Sequence, residues 1–366
     1  MPSREVSLVL SGGVALGAYQ AGAYAALHDH EDLRPRRLAG SSIGAVNAAV
    51  IAGNPSDERV GQLRAFWDAL TVEPGPFQPP WLGPWREGPW RHAHSWMSVV
   101  QTRLFGRIGV FQPRIPEMLT GNVTSLYDLA PFRGQLERFI DFDRVNGNDP
   151  RVTVVTTDVE SGQAVVFDTG RGDRIGPDHL LATCGFLPDF PPVEIDGRLL
   201  GDGCLVANAP FEAALLDAED GADLVCFAVD LYSPEGARPT TLEEAATRRW
   251  DLLFGNQSRE RLECLEREYR LRSALGRMAA RLGPEHRKDP ELERISKEGI
   301  ARTLTLLHLS YRAPIHEAGP EKAFDFSRES LADRWETGFH DMAEAVRIAA
   351  DRRRPRAGIS VHRVRR

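Results

Sequence analysis

Cysteine is scarce in this sequence. Cys184, Cys204, Cys226 and Cys264 are the only ones among 366 residues, and their spacing matches no metal-ligand pattern. This argues against a disulfide-stapled fold and against a cysteine-built metal site. Cys204 and Cys226, in apolar contexts, read as reduced, partly buried thiols. Long apolar runs are missing as well, none approaching the ~20 residues of a membrane-spanning helix. The opening "MPSRE" leads directly into "VSLVL", too short for the apolar stretch of a secretory signal, so the expected location is the cytoplasm. There is no basic surplus: the formal net charge of −7 argues against nucleic acid as a partner, since phosphate backbones are held by excess Lys and Arg. No repeat of solenoid length recurs.

What is present is ordinary globular material. An apolar fraction of 42% beside a charged fraction of 27% can fill a sizeable core, and the length allows one large domain or two smaller ones. Val6–Leu10 is a short apolar run ending at glycine and predicts a buried parallel strand, followed by a helix over Ala15–His28. The stretch from "RRLAG" to "AAVIAGN" repeats strand, glycine turn and small-residue helix. Two such units at the start of the chain imply an α/β fold with a parallel sheet. Further on, "RVTVVTTDVESGQAVVFD" alternates as a hairpin about Ser161-Gly162, and "ADLVCFAVD" and "LTLLHLSYR" read as strands.

Three stretches depart from this pattern. Residues 71–96 hold many prolines with Trp81, Trp85, Trp90 and Trp96, and predict a long loop or cap over the site. Beyond about residue 235, "SRERLECLEREYRLRSALGRMAARL" forms a charged amphipathic helix with Leu262, Leu265, Tyr269, Leu275, Met278 and Leu282 near one face. Ser330–Asp351 is another, so the expected division is a core over 1–235 and a helical extension over 236–366. Residues 352–366 form a basic tail able to touch anionic headgroups or a partner.

The first glycine turn, "LVLSGGVALGAYQAG", invites a dinucleotide reading. Aligned on Gly12 and Gly17, however, the middle glycine of Gly-x-Gly-x-x-Gly is Val14, which hinders approach to a pyrophosphate. The second turn, Gly40-Ser41-Ser42-Ile43-Gly44, satisfies Gly-x-Ser-x-Gly between a strand and a helix. There the flanking glycines avoid clashes and the Ser42 hydroxyl projects above the sheet, near the positive end of the helix. The two turns are only about 30 residues apart. Adjacent strands would aim both at one sheet edge, with backbone N–H groups of Gly12, Gly13 and Val14 forming an oxyanion hole for a carbonyl attacked by Ser42.

A serine nucleophile needs a proton acceptor. None of the ten histidines carries a motif: His28 and His30 follow a helix, His92 and His94 fall in the Trp/Pro segment, and His308 and His340 read as structural. Asp202 in "GDGCLVANAP" is the better candidate, because Gly201 and Gly203 imply close approach and the surroundings are apolar.

Together, "SGGVALGAYQAG", "GSSIG", "LPDFPPVEIDG" and "DGCLVANAP" resemble the patatin-like phospholipases over roughly residues 5–235. The C-terminal part resembles an extension carried by some bacterial patatin-like proteins. The resemblance implies a three-layer α/β/α fold with a mostly parallel central sheet. It also implies a Ser–Asp dyad without histidine that hydrolyses lipid acyl esters, with Ser42 as nucleophile, Asp202 as base and the loop at Gly12 and Gly13 as oxyanion site. Gly17, Gly40, Gly44 and Gly203 support the motifs. No metal or organic cofactor is implied. The expected partners are a lipid acyl ester and, peripherally, a membrane surface, and the long helix near Leu262 leaves a homo-oligomer open. Val14 and Leu16 stand where the family has a third glycine and a basic residue, and Cys204 where it has Gly or Ala. Leu16 supports the alternative of a catalytically weak lipid-binding or scaffold protein.

Overall fold

The computed structural model describes residues 4–72, 89–115, 121, 123–215, 223–283, 289–300, 302–314, 317, 319–350 and 358–364. Its strands are β1 (Arg4–Leu10), β2 (Arg37–Ser41), β3 (Gln112–Pro113), β4 (Tyr127–Asp128), β5 (Arg151–Asp158), β6 (Ala164–Asp168), β7 (Val193–Ile195), β8 (Arg198–Asp202), β9 (Asp223–Asp230), β10 (Leu304–Ser310) and β11 (Ile359–Val364). Nine of them form one sheet in the order β11-β10-β9-β1-β2-β5-β8-β7, with β6 also paired to β5. The run from β11 to β5 is parallel, and β6, β7 and β8 join antiparallel. β3 and β4 form a separate short ribbon.

The helices are α1 (Gly17–His28), α2 (Ile43–Ala52), α3 (Arg59–Ala69), α4 (Pro89–Phe105), α5 (Phe132–Phe139), α6 (Phe142–Val145), α7 (Pro177–Thr183), α8 (Phe211–Leu215), α9 (Leu242–Ala279), α10 (Pro290–Lys297) and α11 (Arg328–Ala350). They cover both faces of the sheet, and the alternation of the strands shows how. Val6, Leu8 and Leu10 of β1 enter the core beneath α1, α2 and α11, while Val9 enters the core beneath α8 and α9. β9 divides the same way, Val225, Phe227 and Val229 against Leu224, Cys226 and Ala228. Strands buried on both faces read as continuous apolar runs, which is why these lack a polar face. The expected three-layer, mostly parallel α/β fold is the observed one.

Three local readings are corrected. The loop assigned to 71–96 ends earlier, because Pro89 opens α4 and no further proline or glycine interrupts the helix before Gly106. Residues 73–88, with Trp81 and Trp85, lie outside the described residues. The C-terminal part returns two strands to the sheet, since "ISVHRV" in the basic tail pairs in parallel with β10. Along α9, Leu262 and Tyr269 are buried, but Met278 is 67% exposed, so the packed face stops before the helix does.

α1 and α11 meet backbone to backbone. A Cβ at Gly338 would lie 1.9 Å from the Tyr19 carbonyl oxygen, and one at Gly22 would lie 2.0 Å from that of Trp335. Gly338→Val should therefore destabilise the fold by about 3 kcal/mol or more, measured as a drop in the urea midpoint. An unchanged midpoint would show that the helices separate without cost.

Candidate active site

In the parallel pairing of β1 with β2, Leu10 stands opposite Gly40. Both turns therefore leave the sheet at one edge. Gly44 backs onto the end of β1, where a Cβ would lie 2.2 Å from the Leu10 carbonyl oxygen. Gly12 comes as close to the second turn: its Cβ would meet Cys204 Sγ at 2.0 Å and Ser42 Cβ at 2.9 Å. Ser42 thus lies directly beneath the glycine loop. Gly17 faces Ile43 and Trp67, Gly40 faces the Ala45 nitrogen, and Gly203 faces the Val155 carbonyl.

Ser42 holds φ 54 and ψ −131, a positive-φ conformation unfavourable for a side-chain-bearing residue by about 1–3 kcal/mol. Its surroundings impose it. The Ser42 N–H donates to Thr183 Oγ1 at 2.9 Å, and the Thr183 hydroxyl donates to the Val155 carbonyl at 2.5 Å. Val14 also adopts a positive φ of 50 as the glycine loop tightens into a 3-10 turn over Val14–Leu16.

Asp202 ends β8 and is paired to Thr156 of β5. Its carbonyl accepts from Thr157 Oγ1 at 2.8 Å, and its Oδ1 accepts from the Cys204 N–H at 2.8 Å. Burial lifts its carboxyl from an ordinary 3.8 to about 6, against the opposing hydrogen bonds from Cys204 and the Ser42 side chain. Ser42 and Asp202 are 5% and 1% exposed and line the same pocket, so the structure brings the two together. Cys184 and Cys204 flank Ser42. Burial pushes both thiols well above their ordinary range, so neither is a thiolate.

Residues without a recognised motif hold this arrangement in place. Trp67 Nε1 donates to Asn47 Oδ1 (3.1 Å), Asn47 Nδ2 to Gln20 Oε1 (3.1 Å), and Gln20 Nε2 to the carbonyls of Ser11 (2.7 Å) and Val229 (3.2 Å). This chain ties α3, α2 and α1 to the ends of β1 and β9. The signal for it was a lone amide in an otherwise apolar helix, since a buried polar group must find partners. Asn208 Oδ1 accepts the Gly12 N–H at 3.1 Å. That amide, expected in the oxyanion hole, is therefore committed elsewhere. From α11, fully buried Arg334 donates to the Ala15 carbonyl at 3.1 Å and pairs with Glu317 at 3.0 Å, bracing the loop from below. Leu16 is buried.

Ser42, Asp202, Gly13 and Val14 open into a cleft of about 1000 Å³, part of it open to solvent. Its wall is mainly apolar and rich in aromatic rings. Phe111 meets Phe190 at 5.1 Å, Phe190 stacks on Phe324 at 6.2 Å, and Trp250 stacks on Phe254 at 5.9 Å. Arg103 is the one cation among the described lining residues; it lies 3.6 Å above the Phe324 ring, pairs with Asp189, and donates to Glu321 at 2.9 Å. No described histidine lines the cleft. His308 instead lies with its Nε2 3.5 Å from Asp230 Oδ2.

The family profile described as patatin-like phospholipase matches residues 8–215, more than half of the chain and the whole of this site's first three motifs. The chain belongs to that family. A second profile, described as patatin phospholipase, matches residues 253–358 of this patatin-like chain, so its C-terminal part is family sequence too. No curated protein matches significantly. Among solved structures, VipD from Legionella pneumophila is 13% identical at a TM-score of 0.40, covering 95% of this chain and 67% of its own. Human GIVD cytosolic phospholipase A2 is 13% identical at 0.37 (96% and 61%). Full-length ExoU from Pseudomonas aeruginosa, solved in complex with full-length SpcU, is 19% identical at 0.29 (71% and 53%). The patatin-like chain thus spans about half to two thirds of these proteins' lengths.

A carboxyl raised by burial lowers stability once it ionises. Below about pH 3.8 the folded and unfolded states are both protonated; between there and about pH 6 only the unfolded state loses its proton; above about pH 6 the full cost of about 3 kcal/mol applies. Asp202→Asn should accordingly be more stable than wild type at pH 8 by up to that amount, the gain vanishing below pH 4. Equal denaturation midpoints at both pH values would contradict the burial argument.

Proposed function

We propose that this protein is a serine acyl-ester hydrolase of lipid esters, of phospholipase A or lysophospholipase type, working through Ser42 and Asp202 by way of an acyl-enzyme. The observation that carries this reading is a serine on a strained strand-to-helix turn beside a buried carboxylate, both opening into an aromatic cleft.

In the proposed reaction Ser42 Oγ bonds to the ester carbonyl carbon and its proton passes to Asp202. The tetrahedral oxyanion takes hydrogen bonds from the backbone N–H groups of Gly13 and Val14. Gly12 serves as the spacer that lets the loop reach Ser42. Collapse breaks the ester C–O bond, and the departing alcohol recovers the proton from Asp202. Water then gives a proton to Asp202 and attacks the acyl carbon. Its proton returns to Ser42 as the fatty acid leaves. The aromatic wall takes the acyl chain, removing apolar surface from water at about 25 cal/mol per Å². A pKa near 6 makes Asp202 a stronger base than an exposed carboxylate while leaving it ionised at neutral pH.

Ser42→Ala should abolish both ester hydrolysis and labelling by a fluorophosphonate probe, and labelling at wild-type strength would refute the assignment. Asp202→Asn should lower kcat about a thousandfold with little effect on binding. For the wild type, kcat/KM should rise with pH through about 6 and then level, following ionisation of the base. A profile flat from pH 4 to 8 would remove Asp202 from that role.

A further inference from the structure

α4 is turned inside out. Its buried positions are polar but for Val99: Arg91 is 0% exposed, and Ser95, Ser98 and Thr102 are buried with hydroxyls that find no partner among the described residues. Its exposed positions are apolar but for Gln101. Met97 is 65% exposed, Val100 49%, Leu104 58% and Phe105 75%, and Ile108 in the following turn is 89% exposed. Ala93 and Gln101 complete this stripe, which contains no charge. A surface helix of a water-bathed protein has the opposite arrangement.

The polar face is the one clamped to the body. Arg91 donates to Ser330 Oγ at 3.0 Å and Asp333 Oδ2 at 3.1 Å, His94 lies 3.3 Å from Glu329, and Arg103 pairs with Asp189 and Glu321. The apolar stripe is therefore not a core surface that has lost its place. It also adjoins the cleft, because the same helix supplies Arg103 to the cleft wall and the turn after it supplies Val110 and Phe111.

We infer that α4 is an interfacial helix whose Met97–Val100–Leu104–Phe105 face, with Ile108, docks on a lipid surface and sets the mouth of the Ser42 cleft against it. The inference rests on the lipid-ester function proposed above. An uncharged face matches the acyl region of a bilayer. A helix of 17 residues is about 25 Å long, suited to lying in the interface plane. No helix among the described residues is long and apolar enough to cross a membrane. With no cation in the stripe, docking is driven by apolar burial, so a zwitterionic surface suffices.

The test is sedimentation of the full chain with phosphatidylcholine vesicles. Wild type should bind. Leu104→Glu and Phe105→Glu should each weaken binding by about tenfold or more, and Leu104→Met should retain it. Melting temperatures, unchanged for substitutions at such exposed positions, control for folding. Absence of wild-type binding, or equal binding by the glutamate variants, would overturn the proposal. So would a wild-type dimer that the same variants convert to monomer in sedimentation velocity, since the face would then belong to a second copy. Sedimentation needs no turnover, so Ser42→Ala should bind as wild type does, and a missing esterase activity would refute the proposed function without obscuring this result.

Discussion

The contact between the Leu10 carbonyl and the Gly44 backbone, with no side chain between them, is the constraint on which the site depends. It lets the crossovers after β1 and β2 leave the sheet touching, and Gly12 repeats the contact on the other side of Ser42. Any Cβ at either position would force the turns apart and separate the hydroxyl from the loop above it. The buried chain from Trp67 through Asn47 and Gln20 to the ends of β1 and β9 maintains this closeness. Each such bond contributes only about 1 kcal/mol net, but an amide left unpaired there would cost about 1–3 kcal/mol, so the network penalises misalignment more than it rewards assembly.

The C-terminal third is built into the same body. β10 and β11 extend the sheet beyond β9, and α11 lies on α1 close enough for backbone contact. Through Arg334 it also reaches the sheet edge that carries the glycine loop, where a fully buried guanidinium satisfies the Ala15, Lys322 and Asp325 carbonyls and meets Glu317. The basic residue missing at position 16 fits this picture. Leu16 points into the core, where a charge would need a partner, and the cation near the loop comes from α11 beneath its backbone.

Much of the fold was legible because periodicity and glycine placement are local properties. The doubled strand–turn–helix, the hairpin at Ser161-Gly162, the strand in "ADLVCFAVD" and the helix after Ser330 all emerged where their patterns lay. α4 was lost because the prolines before Pro89 masked a helix start, and proline at the first helical position does not break a helix. β11 was lost because six alternating residues beside a run of arginines resemble a tail until a neighbouring strand pairs with them.

By itself, the sequence determined a parallel α/β core, two glycine turns aimed at one edge, and a serine and an aspartate in tight glycine settings. These follow from which backbone angles and burial patterns each residue tolerates. Only the tertiary structure decided that the Gly12 amide is taken by Asn208, that Thr183 holds Ser42 in its positive-φ conformation, and that Arg334 braces the loop from 319 positions away. It alone decided that α4 shows its apolar side outward. The physical reason is common to all four. A hydrogen bond or a burial state belongs to a pair of surfaces, and the second surface in each case is supplied by a part of the chain that local pattern does not connect to the first.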